Sequence, residues 1–394
     1  MTFAAVRRTL FTVHMWVGLI LGILLAALGL SGSLLVYDDK VAALIDPPLH
    51  ASTAGQPLPL DMIVSAARDA AAEQGLEGGQ YQVVLPETDG DAISVRIGGI
   101  SPMGNMPGMS RDGAAHRHKG GARREGGDGG NRGLLVYVDP VSGSVLGSRK
   151  AALPPILTFA HQLHGNFLLG RDGRSSVVGP LGIAMLVLGI TGLVLWWPRR
   201  GQWKYAFFVR RTAQGLRFHR ELHAATGIWI FFIFMVVSFS GVVIVWPQTF
   251  GAPQYGRGPV MAEAPGDRVI GAQQAANAAK AALPQAELRS VTLPAQPDQA
   301  ITVNLRANGA INASVLVDPY SAKVLQVRDP SSSWAAWQRP VHQGLLGPVW
   351  KFLVFLSGLV PTLFVVTGII MWAKKRRRHV PMTMLTDDVT ADET

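Results

Sequence analysis

Long apolar runs alternate with polar stretches along this chain. Four of the runs, Leu10–Tyr37, Val177–Trp197, Ala224–Trp246 and Val349–Trp372, carry no acidic or basic side chain near their centres. A helix needs about 20 predominantly apolar residues to cross a bilayer, and each run meets that length. The pattern predicts four membrane-spanning helices. The first run follows two arginines, as a signal peptide would. It exceeds the usual apolar stretch of about 7–15 residues, and no small-residue cleavage site interrupts Leu34-Leu35-Val36-Tyr37. It is expected to be retained as a helix.

Between the runs the periodicity changes. Helical patterning over Leu60–Gln74 precedes alternation at Ala92–Ile97, and patterning over Gly271–Leu283 precedes alternation at Ile301–Leu305. Several motifs recur at fixed offsets. His14-x3-Gly18, Ser31-Gly32 and Val36-Tyr37 return 209 positions later as His223-x3-Gly227, Ser240-Gly241 and Val245-Trp246. Thr191-Gly192-x3-Trp196 returns as Thr367-Gly368-x3-Trp372, and Asp139-Pro140-x-Ser142 as Asp318-Pro319-x-Ser321. Such self-similarity predicts two copies of one unit. The expected fold class is a membrane α-helical protein whose four transmembrane helices form two parallel repeats, each with an outside α+β module.

The expected order is a terminus at 1–9, spans at 10–37 and 177–197 around a first module at 38–176, and a basic loop at 198–222. Spans at 223–246 and 349–372 then enclose a second module at 247–348, and a tail follows at 373–394. Residues 101–133 are Gly-rich and aperiodic, as a flexible insertion would be. They hold Met103, Met106, Met109, His116 and His118. Thioether and imidazole ligands suit soft metals such as copper, so these five are weak additional metal candidates.

A net charge of +10 raises the question of nucleic acid. The placement of the basic residues answers it. Arg7 and Arg8 precede the first span, Arg199, Arg200, Lys204, Arg210, Arg211, Arg217 and Arg220 lie between spans two and three, and Lys374–Arg378 follow span four. Short basic segments mark the cytoplasmic side of a membrane. Both termini and the 198–222 loop are therefore expected inside, and the two modules outside. The expected partner is membrane lipid, not nucleic acid.

The chain has no cysteine, which excludes disulfides, thiolate chemistry, iron–sulfur clusters and covalent haem attachment. It has ten histidines. Six flank the spans: His14, His219 and His223 at the inner face, and His161, His164 and His342 at the outer. Ionisable groups at membrane segments are expensive and usually functional. Histidines at one level on facing helices of a bundle can grip a planar cofactor, and haem iron accepts imidazole as axial ligand. Two non-covalent b haems are the expected cofactors. The inner ligands would be His14 and His223, and the outer ones His342 with either His161 or His164. Arg171, Arg174 and Arg339 lie close in sequence to the outer histidines and are candidate partners for the haem propionates. Trp334 and Trp337, just ahead of His342, are weak candidates for substrate docking.

At these residues the chain resembles the PepSY-associated transmembrane proteins, and among them the FoxB-type siderophore reductases. The segments concerned are TVHMWVGL at 12–19, LHGNFLLGRDGR at 163–174, TGLVLWWPRR at 191–200, ELHAATGIW at 221–229 and VHQGLLG at 341–347. The two Asp-Pro-x-Ser endings resemble PepSY modules. The resemblance favours His164 over His161, and His223 over His219. It implies a di-haem b oxidoreductase of a bacterial inner membrane, with its modules in the periplasm. The enzyme would pass electrons across the membrane to a ferric siderophore or other oxidised metal chelate and release Fe(II). No Gly-x-Gly-x2-Gly follows a strand, so the electron donor is expected to be separate, a cytoplasmic reductase or a quinol. The competing expectations are a non-enzymatic PepSY binding or regulatory protein, and a metal or proton transporter using histidines as a relay.

Overall fold

The computed structural model describes residues 3–377 except 48, 52, 77, 89, 99–132, 199–200, 256–258 and 308. Met103, Met106, Met109, His116 and His118 lie outside the described residues. Helix α1 (Phe3–Val36) and a short α2 (Asp38–Ile45) lead to α3 (Leu60–Ala72). Strands β1 (Tyr81–Val84), β2 (Ile93–Ile97), β3 (Leu134–Val138) and β4 (Val145–Lys150) follow. Then come α4 (Pro155–Asn166), the single turn α5 (Gly170–Gly173), a π-helical turn (Arg174–Val178) and α6 (Gly179–Trp196). The turn α7 (Trp203–Ala206) precedes α8 (Gly215–Val245) and α9 (Ala272–Ala282). The chain finishes with β5 (Glu287–Leu293), β6 (Ile301–Ala307), β7 (Ile311–Val317), β8 (Val324–Arg328), α10 (Trp334–Gln343) and α11 (Pro348–Arg377).

Among the described residues, four helical segments are long and apolar enough to cross a membrane: Ala5–Val36, Arg174–Trp196, Gly215–Val245 and Pro348–Arg376. They contain the four apolar runs almost entirely but extend beyond them. The difference is largest at α8, which starts inside the segment expected as a loop. Arg217 and Arg220 end the apolar window, yet arginine is a good helix former, so the helix continues through them. The bundle exposes large apolar side chains, Ile20, Ile23, Phe232 and Val366 among them. Lipid is the solvent that such faces fit.

Helix α1 packs on α6 and α11, and α8 packs on the same two. Helices α1 and α8 therefore stand diagonally across a four-helix ring. The α1–α11 contact is close because two glycines meet there: a Cβ on Gly29 would overlap the Gly358 carbonyl. Small residues let membrane helices approach in this way. Ser33 Oγ donates to the Phe355 carbonyl across the same contact at 2.7 Å.

The eight strands form one antiparallel sheet in the order β4-β3-β2-β1-β5-β6-β7-β8. The expectation of one module per half changes in this respect. Strands β1 and β5 pair with Val83 opposite Val291, so the two groups of four share a sheet. Unpaired, each would present an open edge of free N–H and C=O groups. Helices α3 and α9 cover one face. Leu60, Ile63, Val64, Ala67 and Ala71 of α3 and four alanines of α9 meet fully buried Val83, Val95, Val136, Val291 and Val303. Their helical spacing is the periodicity seen in the sequence.

The two Asp-Pro motifs make turns. Asp139 Oδ1 accepts the N–H groups of Val141 and Ser142 at 2.9 and 3.0 Å. Asp318 Oδ1 accepts those of Tyr320 and Ser321, both at 2.9 Å. The second oxygens accept from Thr53 and Glu263. Both carboxyls are held below their usual range. At Asp139 the Ser142 N–H leads the effect, and at Asp318 burial opposes it but the N–H groups prevail. These side chains pin the strand hairpins and take no part in the histidine sites.

Candidate functional site

His14 on α1 and His223 on α8 face one another across the bundle, with ring centroids 6.2 Å apart. Each is held from behind by a threonine on the next spanning helix. His14 Nδ1 lies 2.9 Å from Thr191 Oγ1 on α6, and His223 Nδ1 lies 2.8 Å from Thr367 Oγ1 on α11. The threonine hydroxyls donate their only protons to helix carbonyls, Val187 O at 2.7 Å and Leu363 O at 2.8 Å. Their oxygens therefore act as acceptors, and Nδ1 of each imidazole carries the proton. Nε2 of each ring keeps a free lone pair.

A second pair stands at the sheet end of the bundle. His164 on α4 and His342 on α10 have ring centroids 5.9 Å apart. Here the anchors are backbone carbonyls of the spanning helices. His164 Nδ1 donates to Leu28 O at 2.9 Å, and His342 Nδ1 donates to Val237 O at 2.9 Å. Ser240 Oγ lies 3.2 Å from His342 Nδ1 as a further partner. A carbonyl only accepts, so Nε2 is again the unprotonated nitrogen. Burial pushes both imidazoles below their ordinary value, with the partner histidine adding to it at His342, which falls to about 4. His342 is therefore a neutral base at pH 7.

The glycines of the recurring motifs make room for these rings. A Cβ at Gly32 would stand 2.7 Å from His164 Cε1, and one at Gly241 would stand 3.0 Å from His342 Cε1. Around the first pair, a cavity of about 1400 Å³ opens between the four spans. Small-molecule sites commonly measure about 300–1,000 Å³. Gly18 and Gly227 lie one turn beyond His14 and His223 on the same helix faces. A Cβ at Gly18 would reach no atom closer than 4.0 Å, one at Gly227 none closer than 3.8 Å, and one at Gly368 would meet nothing within 4 Å. The His-x3-Gly spacing thus sets each ring beside open space.

The family described as the PepSY-associated TM region matches residues 11–375. The chain belongs to this family. No curated protein matches it. The match spans all four apolar helices and the shared sheet, so this PepSY-associated protein crosses the membrane several times.

In this PepSY-associated chain the other two span-flanking histidines, His161 and His219, stand apart from the pairs. His161 turns its Nε2 to Asp38 Oδ2 at 3.5 Å. His219 packs on Phe218, with centroids 5.5 Å apart. Arg174 Nη2 donates to Ile244 O at 2.6 Å. Burial lowers the basicity of Arg339, and no carboxylate pairs with it among the described residues. Arg171 lies on α5, with its side chain outside the described residues. Trp337 Nε1 donates to Ser331 O at 2.9 Å, while exposed Trp334 meets Phe250 edge-on. Among the described residues no group of three or more His, Asp or Glu side chains is gathered for a metal ion. Any ion held between a histidine pair must bring its other ligands with it.

The anchors of the four imidazoles leave little mark on the sequence. Thr191, Thr367 and Ser240 were visible only as recurring Thr-Gly and Ser-Gly steps, and the signal was that recurrence itself. The Leu28 and Val237 carbonyls left no trace in side-chain identity.

Proposed function

We propose that this protein is a di-haem b oxidoreductase that passes electrons across the membrane to an oxidised metal chelate, a ferric siderophore, on the sheet side. The observation that carries the reading is the pairing of four Nδ1-anchored imidazoles. An imidazole nitrogen sits about 2 Å from a metal it binds and its ring centroid about 1 Å further back, so two rings sharing one ion have centroids about 6 Å apart. Both pairs have that spacing. A porphyrin would supply the further ligands that the protein lacks at these points, with the paired imidazoles holding it. The open flanks at Gly18, Gly227 and Gly368 fit a flat macrocycle.

His14 with His223, and His164 with His342, would hold the two groups. When bound, haem iron supplies a one-electron couple at each pair, and two such stations subdivide a hydrocarbon core about 30 Å thick. The protein's part is to fix the tautomers, exclude water with apolar walls and place cations near the porphyrin carboxylates. Arg174 and Arg339 would serve in this way at the sheet end. The two-repeat reading belongs here too: His14 and His223, Leu28 and Val237, and Gly32 and Gly241 play matching parts 209 positions apart. The basic segments orient the termini inward and the sheet to the periplasm.

The acceptor is the ferric chelate. Each Fe(III) takes one electron and becomes Fe(II), for which hard oxygen ligands bind less well, and the iron is released. A separate reductase or a quinol is the electron source. The test is the visible spectrum of the purified protein with and without dithionite, followed by Fe(II) release from ferric siderophores. A Soret band that shifts on reduction, with about two haems per chain, is the expected result. A colourless preparation from haem-replete cells ends the reading.

A further inference from the structure

The cavity around His14 and His223 is apolar along its length and basic at one end. Its walls include Leu25, Met185, Leu188 and Phe234. Its mouth, at the end away from the sheet, is lined by Arg7 and Arg8 of α1, Arg217 and Arg220 of α8, and Lys375 of α11. Cations from three helices converge on one opening. Those on α1 and α8 lie in the first two turns of their helices, where the helix dipole disfavours positive charge, and neither helix has an acidic residue in its first turn.

These cations do not all have the same freedom. Arg7 reaches across the mouth to donate from Nη2 to Leu195 O at 2.6 Å, at the end of α6. Arg217 is engaged by Glu221, whose carboxylate also accepts from the Arg210 N–H and guanidinium. Glu221 is therefore saturated. Lys375 lies over the Phe11 ring at 5.5 Å. Arg8, Arg220 and Lys375 have no carboxylate partner among the described residues, and all three border the cavity.

We infer that Arg8 and Arg220, with Lys375, form a carboxylate clamp that sets the orientation of the group held by His14 and His223. The apolar edge of that group points toward the membrane centre, and its two carboxylates lie in the basic mouth. This rests on the haem reading above and goes beyond it, because the clamp assigns residues and a direction to the inner site. A topology signal needs basic residues anywhere in the loop. A clamp needs them where they stand, at the lip of the cavity on three different helices.

The experiment uses the full-length protein in nanodiscs, stripped of haem and refilled with haem b or with its dimethyl ester. His342→Ala confines the measurement to the inner site, and His164→Ala serves where that variant fails to fold. The readout is the rate of haem transfer to a scavenging apoprotein. Charge-assisted contacts to two carboxylates predict that Arg8→Gln/Arg220→Gln loses haem b on the order of tenfold faster than its parent. The ester is expected to leave parent and variant at one fast rate. Equal rates for acid and ester in the parent overturn the clamp while leaving haem binding intact. A rate that follows the phosphatidylglycerol content of the nanodisc, and not the porphyrin carboxylates, assigns the cations to lipid phosphate and also overturns it. Uptake of neither porphyrin removes the haem reading itself, and the clamp with it.

Discussion

The two histidine pairs solve one problem with different materials. At the end away from the sheet, both histidines sit on long spanning helices and lean on threonine hydroxyls of the neighbouring spans. At the sheet end, both sit on short helices outside the spans and lean on backbone carbonyls of α1 and α8. The first pair is positioned by the bundle alone. The second depends on how α4 and α10 dock against it. Helix α4 closes with Phe167 and Leu168 in the left-handed region, at φ 56° and 63°, and α10 closes with Gly344 at φ 77°. For non-glycine residues that conformation costs roughly 1–2 kcal/mol each. The sheet-end pair therefore carries backbone strain that the other pair lacks.

The largest test of this comparison is removal of one ligand from each pair. His14→Ala and His342→Ala should each lower haem content by about one per chain, read from the pyridine haemochrome spectrum. If either variant loses both haems, the sites are not independent and the contrast between them fails. Next comes Gly32→Ala. Its Cβ would stand 2.7 Å from His164 Cε1, inside van der Waals contact, and displacing the His164 ring would strain its hydrogen bond to the Leu28 carbonyl. The sheet-end haem should be lost while the other remains. Gly368→Ala is the counterpart at the other pair, since that Cβ would meet no protein atom within 4 Å. Its loss of haem would show that the open space is filled to the wall by the bound group, and retention that it is not.

Thr191→Val separates the hydroxyl anchor from the carbonyl one. It preserves shape and removes the acceptor of His14 Nδ1–H. Loss of an outer-sphere partner of this kind typically weakens a metal site by about 10–100-fold, so faster release of haem from the His14–His223 pair is expected at the low end of that range. Release should be followed by transfer to an apoprotein scavenger. No comparable substitution exists at His164, whose acceptor is the Leu28 carbonyl. An unchanged rate in Thr191→Val would mean that the bundle alone fixes the ring, and the two anchoring schemes would be equivalent in effect.

The parts of this arrangement written in side chains were the parts legible in the sequence. Four apolar runs named the spans, and the recurrence of His14 at His223 named one pair. Residue spacing left His161 and His164 equal, because both lie on α4 and only the packing of that helix turns one to the bundle and the other to Asp38. The join between β1 and β5 was hidden because a central strand and an edge strand can share the same alternation. The basic mouth was read as a marker of topology, since charge in a sequence has no direction. Only the folding of α1, α8 and α11 around one cavity brings Arg8, Arg220 and Lys375 to the same opening.

The smallest effect is the most discriminating. Ser240 donates its hydroxyl proton to Val237 O at 2.9 Å, and its oxygen stands 3.2 Å from His342 Nδ1. The Val237 carbonyl receives the same imidazole N–H at 2.9 Å. The carbonyl is the shorter partner, and the hydroxyl shares what remains of the proton. Ser240→Ala removes the hydroxyl and leaves the carbonyl in place, so His342 keeps a satisfied Nδ1–H. A neutral hydrogen bond contributes about 0.5–1.5 kcal/mol when it is the main one, and a secondary branch falls at or below the bottom of that range. The release rate of the sheet-end haem should therefore change by about twofold at most, well short of the Thr191→Val effect at the other pair. An effect equal to that of Thr191→Val would make the serine hydroxyl the true anchor. Both pairs would then rest on hydroxyls, and the difference between a bundle-held site and a backbone-held site would disappear.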